Sequence, residues 1–284
     1  MSLGSCSFFF KPDLSMISAF SLSRRALLGV LVIEPLLRVA HAAEQKTLRI
    51  GIMSGEDEDI WRLIATHAAR GGLTLKIVTF SDYNAPDEAL AEHELDANAF
   101  QHGPFLEAQK AAHGYSIVPV GNTYFSPIGL YSARWPSVAT LPKGAVIGVP
   151  NDPSNEGRAL RLLETLGLIK LAPSAGLLPT ALDITDNPLD LSVKELDAGI
   201  VGRTLPDLDA GVVNTNWAFK SGIQIDRQRI GQEVLTNNPY VNFVAVNEVD
   251  ANAPWVAPLM DAIHQADVRK AIIDIYQSRI IPAW

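Results

Sequence analysis

Apolar positions recur along this chain with two periods that take turns. Leu48-Arg-Ile-Gly-Ile52 alternates as a strand, and Ser54-Gly-Glu-Asp-Glu-Asp59 then brings the acidic side chains that suit a first helical turn. Ile60, Trp61, Ile64 and Ala68 repeat at helical spacing until Gly71-Gly72 stops them. Residues 73–80 alternate as a second strand, Pro86 starts a short helix, and 95–100 read as a third strand. Pro104 opens a helix to His113 that Gly114 closes, and 117–120 return to strand. This β-α-β-α-β-α-β order predicts a mainly parallel sheet covered by helices.

The same grammar restarts after a stretch rich in turn residues, 122–132 with Trp135-Pro136, which reads as a crossing. A strand over 145–149 precedes a helix begun near Pro153, with Ala159, Leu160, Leu163 and Leu166 on one face. Further strands are expected at 191–196 and 211–213, and two helices, 254–264 and 267–278, close the chain. The expected division is 43–135 with 240–284 as one lobe and 136–239 as the other. Periodicity alone does not choose between these two lobes and the alternative of a single continuous sheet with long loops.

Residues 1–42 stand apart. Arg24-Arg25 leads into an apolar run over 27–37, broken by Glu34 and Pro35, that ends at Ala40-His41-Ala42. That is the pattern of a cleaved secretory signal peptide of the twin-arginine kind, with Met16 as an alternative start. The run is too short and too broken for a spanning helix. The only cysteine, Cys6, lies in this leader, so the mature chain is expected to hold no disulfide and no thiol chemistry. A net charge of −8 without a basic stripe argues against nucleic acid as a partner.

Three segments concentrate candidate chemistry at predicted strand ends, where α/β proteins hold small ligands: residues 95–105, 149–158 and 239–243. Asn155 and Arg158 sit at a helix start, where free amides and a guanidinium one turn on form a ready carboxylate site. An exposed Arg beside a capped helix would look the same. His93, His102 and His113 are spaced by nine and eleven, which matches no compact ligand motif, so no metal is expected. No nucleophile elbow, phosphate loop or dinucleotide fingerprint occurs, so neither an enzyme nor a cofactor is expected.

The ordered motifs 78–83, 96–102, 120–123, 149–158, 167–171, 176–180, 213–215 and 239–242 resemble the NlpA-type methionine-binding proteins, the solute receptors of methionine ABC importers. The resemblance spans essentially the whole mature chain. It implies a two-lobed, type II periplasmic-binding-protein-like α/β fold with the ligand in the interlobe cleft, and delivery of L- or D-methionine to a membrane permease and its ATPase. By that likeness Arg158 pairs with the ligand carboxylate, with Asn155 beside it. Asn214 and Asn242 hold the amino-acid backbone, and Tyr83, Phe100 and His102 surround the side chain. Phe105 stands where the family commonly has Tyr, and Trp217 where Tyr is frequent. Both departures keep open another apolar amino acid, a methionine derivative such as the sulfoxide, or a short peptide. An exported enzyme on the same scaffold is a further alternative. The small-residue cleavage site lacks the usual lipid-bearing cysteine, so the expectation is a freely soluble periplasmic monomer.

Overall fold

The structure, a computed structural model, describes residues 46–284. The expected signal peptide, Cys6 and the expected cleavage site lie outside the described residues. The first stretch runs β1 (Lys46–Met53), α1 (Asp57–Arg70), β2 (Leu73–Phe80), α2 (Ala85–Ala91), β3 (Ala97–Asn98), α3 (Gly103–His113) and β4 (Ile117–Phe125). Next come β5 (Ile128–Tyr131), β6 (Val146–Pro150), α4 (Pro153–Thr165), β7 (Lys170–Leu171), β8 (Ile184–Asp186), β9 (Ser192–Leu196) and α5 (Ala198–Val201). They are followed by β10 (Ala210–Asn214), α6 (Thr215–Lys220), α7 (Ile225–Gln228) and β11 (Arg229–Gln232). The chain closes with β12 (Val241–Asn247), α8 (Val256–Ile263), α9 (Ala266–Ile275) and β13 (Ile281–Pro282).

Two sheets result, so the single continuous sheet is ruled out. One has the order β13-β4-β12-β3-β1-β2 and the other β11-β5-β10-β6-β9, with β7 and β8 forming a small separate pair. The expected mainly parallel sheet holds at β1, β2 and β3, and again at β6, β9 and β10. It fails at the strands that return from a crossing. β12 wedges between β3 and β4 and runs against both, while β5 runs against β10 and β11. A strand re-entering from the other lobe has no crossover helix to turn it round, so it pairs antiparallel.

The pairing of β5 also moves the first crossing to 126–127, earlier than the expected boundary after residue 135. Ile128, Gly129, Leu130 and Tyr131 are all buried, so the strand has no polar face and leaves no alternation to read. The second crossing runs over 233–240. β12, which periodicity had not singled out, follows it with Phe243 to Val246 fully inside.

Each sheet carries its own core. Leu48, Ile50 and Ile52 of β1 pack under Ile60, Trp61 and Ile64 of α1 and against Leu259 and Ile263 of α8. In the second lobe Ile147, Val149, Leu160, Leu163 and Val212 form the equivalent. A third cluster joins the two lobes, with Met53, Phe100 and Phe105 from one side and Tyr131, Val213 and Trp217 from the other. Every buried apolar side chain there contributes about 1.5–3 kcal/mol, so this cluster holds the lobes shut as well as packing them.

Candidate functional site

Two helix starts face each other across the interlobe cleft, and their capping residues belong to the site. His102 caps α3, its Nδ1 accepting from the Phe105 N–H at 3.2 Å, with Pro104 in the first turn. Asp152 caps α4, its carboxylate accepting from the Asn155 N–H at 2.9 Å, with Pro153 following. Asn155 and Arg158, three residues apart on α4, share one face and turn the same way. Gly157 between them is required by packing. A side chain there would meet the Leu178 Cα at 3.0 Å and the Pro179 Cδ at 2.8 Å, so the 176–180 segment can press directly on the helix.

All eight residues singled out in the sequence line one cavity: Tyr83, Phe100, His102, Phe105, Asn155, Arg158, Asn214 and Asn242. The cavity between these side chains has a volume of about 20 Å³, so the cleft is nearly closed. The Tyr83 hydroxyl spans the lobes, donating to Asn216 Oδ1 at 3.0 Å, and Lys220 reaches Ser54 from the other side.

The polar half is a continuous network. Asn155 gives its amide N–H groups to Asp152 at 3.0 Å and receives one from Asn214 Nδ2 at 3.0 Å. Because His102 Nδ1 already accepts, its proton sits on Nε2, which faces Asn155 Oδ1 at 3.4 Å. Burial, helped by the nearby Arg158 charge, pushes the His102 pKa down to about 3, so the ring is neutral. Burial raises the Asp152 carboxyl above its ordinary value despite its hydrogen bonds. Asn242 donates to the Phe100 carbonyl at 2.9 Å. Three buried polar atoms of the cavity wall have no partner among the described residues: Asn214 Oδ1, Ser126 Oγ and Gln101 Oε1.

Arg158, expected to meet a ligand carboxylate, already holds one from the protein itself. Its Nε donates to Glu233 Oε2 at 3.0 Å, its Nη2 to Glu233 Oε1 and to the Ser126 carbonyl at 2.9 Å. The guanidinium also lies 4.2 Å from the centre of the Tyr240 ring. Its Nη1 makes no hydrogen bond among the described residues. Nor is Arg158 the exposed surface residue that position alone allowed, since its side chain is 2% exposed.

The apolar half is aromatic. Phe100 and Phe105 meet edge to face with centres 5.7 Å apart, and Tyr83 lies 5.9 Å from Phe100 and 5.7 Å from Trp217. Burial pushes the Tyr83 hydroxyl well above its ordinary pKa, so it stays a donor. His93 and His113 have other duties: His93 Nδ1 meets Asn247 Nδ2 at 3.1 Å and His113 stacks on Tyr115.

Sequence reasoning missed Met53, Gln101, Tyr124, Ser126 and Asn216 in the cavity wall, and Glu233 and Tyr240 beside Arg158. Ser126 lay in a stretch marked only as a crossing. Asn216 follows Asn214 by two residues and could have been caught by that proximity. Glu233 carries no local signal, because its partner is 75 residues away.

The family model described as NlpA lipoprotein matches residues 48–284. Among known proteins the chain is 39% identical over 244 residues to a "Probable D-methionine-binding lipoprotein MetQ" of Vibrio cholerae, covering 86% of this chain and 90% of the relative. It is 37% identical over 246 residues to "Lipoprotein 28" of Escherichia coli, with the same coverage. A nutrient-binding protein from Burkholderia cenocepacia, solved bound to methionine, superposes with a TM-score of 0.81 at 42% identity, covering 84% of this chain and all of that one. A periplasmic substrate-binding protein of an ABC transporter from Coxiella burnetii superposes with a TM-score of 0.79 at 43% identity, covering 83% and 100%. These likenesses establish the two-lobed binding-protein fold.

They also correct one expectation. The freely soluble periplasmic form was argued from the leader alone, whereas the family and the relatives above are lipoproteins by name, a class held to a membrane by covalent lipid. The small residues before position 43 do not outweigh that. The unanchored localisation does not stand.

Proposed function

The chain belongs to the NlpA lipoprotein family, and from that premise we propose that it is an extracytoplasmic receptor that binds methionine and hands it, as a monomer, to an ABC permease driven by its ATPase. One observation carries the reading: a closed cleft in which unpaired hydrogen-bonding atoms sit at one end and aromatic rings at the other. A buried zwitterion needs both its charges satisfied. Arg158 Nη1 and the Ser126 hydroxyl are the free donors and take the carboxylate. Asn214 Oδ1, unpaired because its amide nitrogen is given to Asn155, accepts from the ammonium. The Asn242 carbonyl oxygen, left over after its N–H groups serve Phe100, completes that set.

Asn155 is the hinge of this arrangement. Its oxygen takes the donors of Asn214 and His102, which obliges Asn214 to present oxygen, not nitrogen, to the ligand. Tyr83, Phe100, Phe105 and the His102 ring wall in the thioether, whose contacts with aromatic edges contribute about 0.3–1.5 kcal/mol each. No bond is made or broken, so the protein acts as a receptor and not a catalyst. Closure is the functional event, with Tyr83 and Asn216 joining the lobes behind the ligand.

A second cargo is favoured by one atom. Trp217 Nε1 is buried without an acceptor on a ring packed against the cavity-lining Tyr83, and a shift of Tyr83 would let the oxygen of methionine sulfoxide supply one. The test is calorimetry on protein stripped of bound ligand by unfolding and refolding. L-methionine, D-methionine and methionine sulfoxide are titrated in turn. Binding of none of the three sinks the reading, and sulfoxide binding tighter than methionine promotes the second cargo.

A further inference from the structure

Glu233 holds Arg158 along one edge and is itself held from several sides. Its Oε1 accepts from the Ile128 N–H at 2.7 Å as well as from Arg158 Nη2, and its Oε2 accepts from Asn238 Nδ2 at 3.0 Å as well as from Arg158 Nε. The pair is deeply buried, with side chains 2% and 10% exposed. Leaving this nest would strip four buried donors of their acceptor, each an uncompensated desolvation. The carboxylate is therefore no placeholder for a ligand to displace. It stays, and it occupies Nε and Nη2, so that only the Nη1 end of the guanidinium remains for a ligand.

The consequence is one of charge. With Glu233 in place Arg158 contributes a cation already neutralised, His102 is neutral, and Asp152 adds a carboxylate set against the start of α4 and the donors of Ser154 and Asn155. A ligand with a carboxylate alone would bring an unbalanced negative charge into a closed cleft of low dielectric. We propose that Glu233 is the residue that restricts this site to zwitterionic amino acids, by cancelling the charge of Arg158 so that a ligand must bring its own ammonium. It is a positioning and specificity residue, acting through Arg158. This inference rests on the receptor reading above.

The experiment titrates methionine and its desamino analogue, 4-(methylthio)butanoate, into the native protein and into Glu233→Gln, with circular dichroism to show that the variant is folded. Glutamine keeps the shape and removes the charge. The preference for methionine over the desamino acid should shrink by about tenfold or more in the variant, because the anion is no longer repelled. Glu233→Asp, which keeps the charge, should weaken both ligands in parallel and leave the preference intact. A preference unchanged to within about twofold in Glu233→Gln would falsify the proposal and reduce Glu233 to a structural brace.

If Glu233→Gln does not fold, Arg158→Met reads the same charge from the other side. Methionine amide, a cation, should then bind more tightly than methionine, and the opposite order overturns the inference. Failure of the receptor reading looks different. The native protein would bind neither methionine nor any other amino acid in a wider screen, and the proposal falls with it. If another amino acid binds instead, the same comparison is run with that acid and its own desamino analogue, and it decides by the same criterion.

Discussion

The six-stranded lobe presents rings to the cleft, Tyr83, Phe100 and Phe105, whereas the five-stranded lobe presents amides and a guanidinium, Asn155, Asn214 and Arg158. The contrast follows from how each side is built. Phe100 and Phe105 flank a histidine-capped helix start whose ring nitrogens are already engaged, Nδ1 by Phe105 N–H in the same turn and Nε2 by Asn155 across the cleft. Asn155 and Arg158 project from a helix start whose cap, Asp152, also grips the Asn155 side chain, so α4 offers a rigid polar face. The six-stranded lobe therefore surrounds the side chain and adds Asn242 to the polar set, while the five-stranded lobe supplies most of the groups that meet the charged ends. Neither is sufficient alone, because the free donors and acceptors converge only when the lobes meet.

The division can be tested from the polar side first, where the effects are largest. Arg158→Ala should abolish detectable methionine binding in calorimetry, a loss on the order of 2–5 kcal/mol or more. It should also cost about 3–5 kcal/mol of stability, read as a lower urea midpoint, because Glu233 is left buried and unpaired. Near-native affinity in that variant would remove Arg158 from the site.

Asn214→Ala should weaken methionine by about 1–3 kcal/mol, roughly five- to 150-fold, and leave the desamino analogue far less affected. Parallel loss for both ligands would mean that Asn214 does not face the ammonium. On the aromatic side Phe100→Leu should cost about 0.3–1.5 kcal/mol, up to roughly tenfold, and should hurt methionine more than its all-carbon counterpart norleucine. Equal losses would show that packing alone, not sulfur–ring contact, shapes that half.

The smallest effect concerns pH. His102 is neutral in the folded protein down to about 3 but protonates near its ordinary value when unfolded, so its contribution is intact above that value and is lost as pH falls. Asp57, buried under the Tyr124 and Tyr276 hydroxyls, and Asp87, bonded by Asn98 and Gln101, are both raised to about 6 by burial. They act in the opposite sense: their contribution is full in acid and is lost as pH rises through about 6. Methionine affinity should therefore hardly change between pH 5 and 8, where His102 keeps one charge state, while His102→Gln should flatten the acid limb of the stability curve. An affinity that collapsed near the ordinary histidine pKa would mean that the ring is charged in the cleft.

Local physics made much of this legible from residues in a row. Acidic residues at 57–59 and Gly71-Gly72 bracket α1, and the Pro104 and Gly114 pair brackets α3, because caps and breakers act within a few residues of themselves. The eight cleft residues could be named because the motifs that carry them are contiguous and ordered, and all eight do meet. What the sequence could not reveal is whom each one meets. Arg158 finds Glu233 across 75 positions, Asn214 finds Asn155 across 59 and Tyr83 finds Asn216 across 133. Those pairings come into being only when the two crossings bring the sheets together, and only then do burial and a low dielectric decide which donors stay free for a ligand.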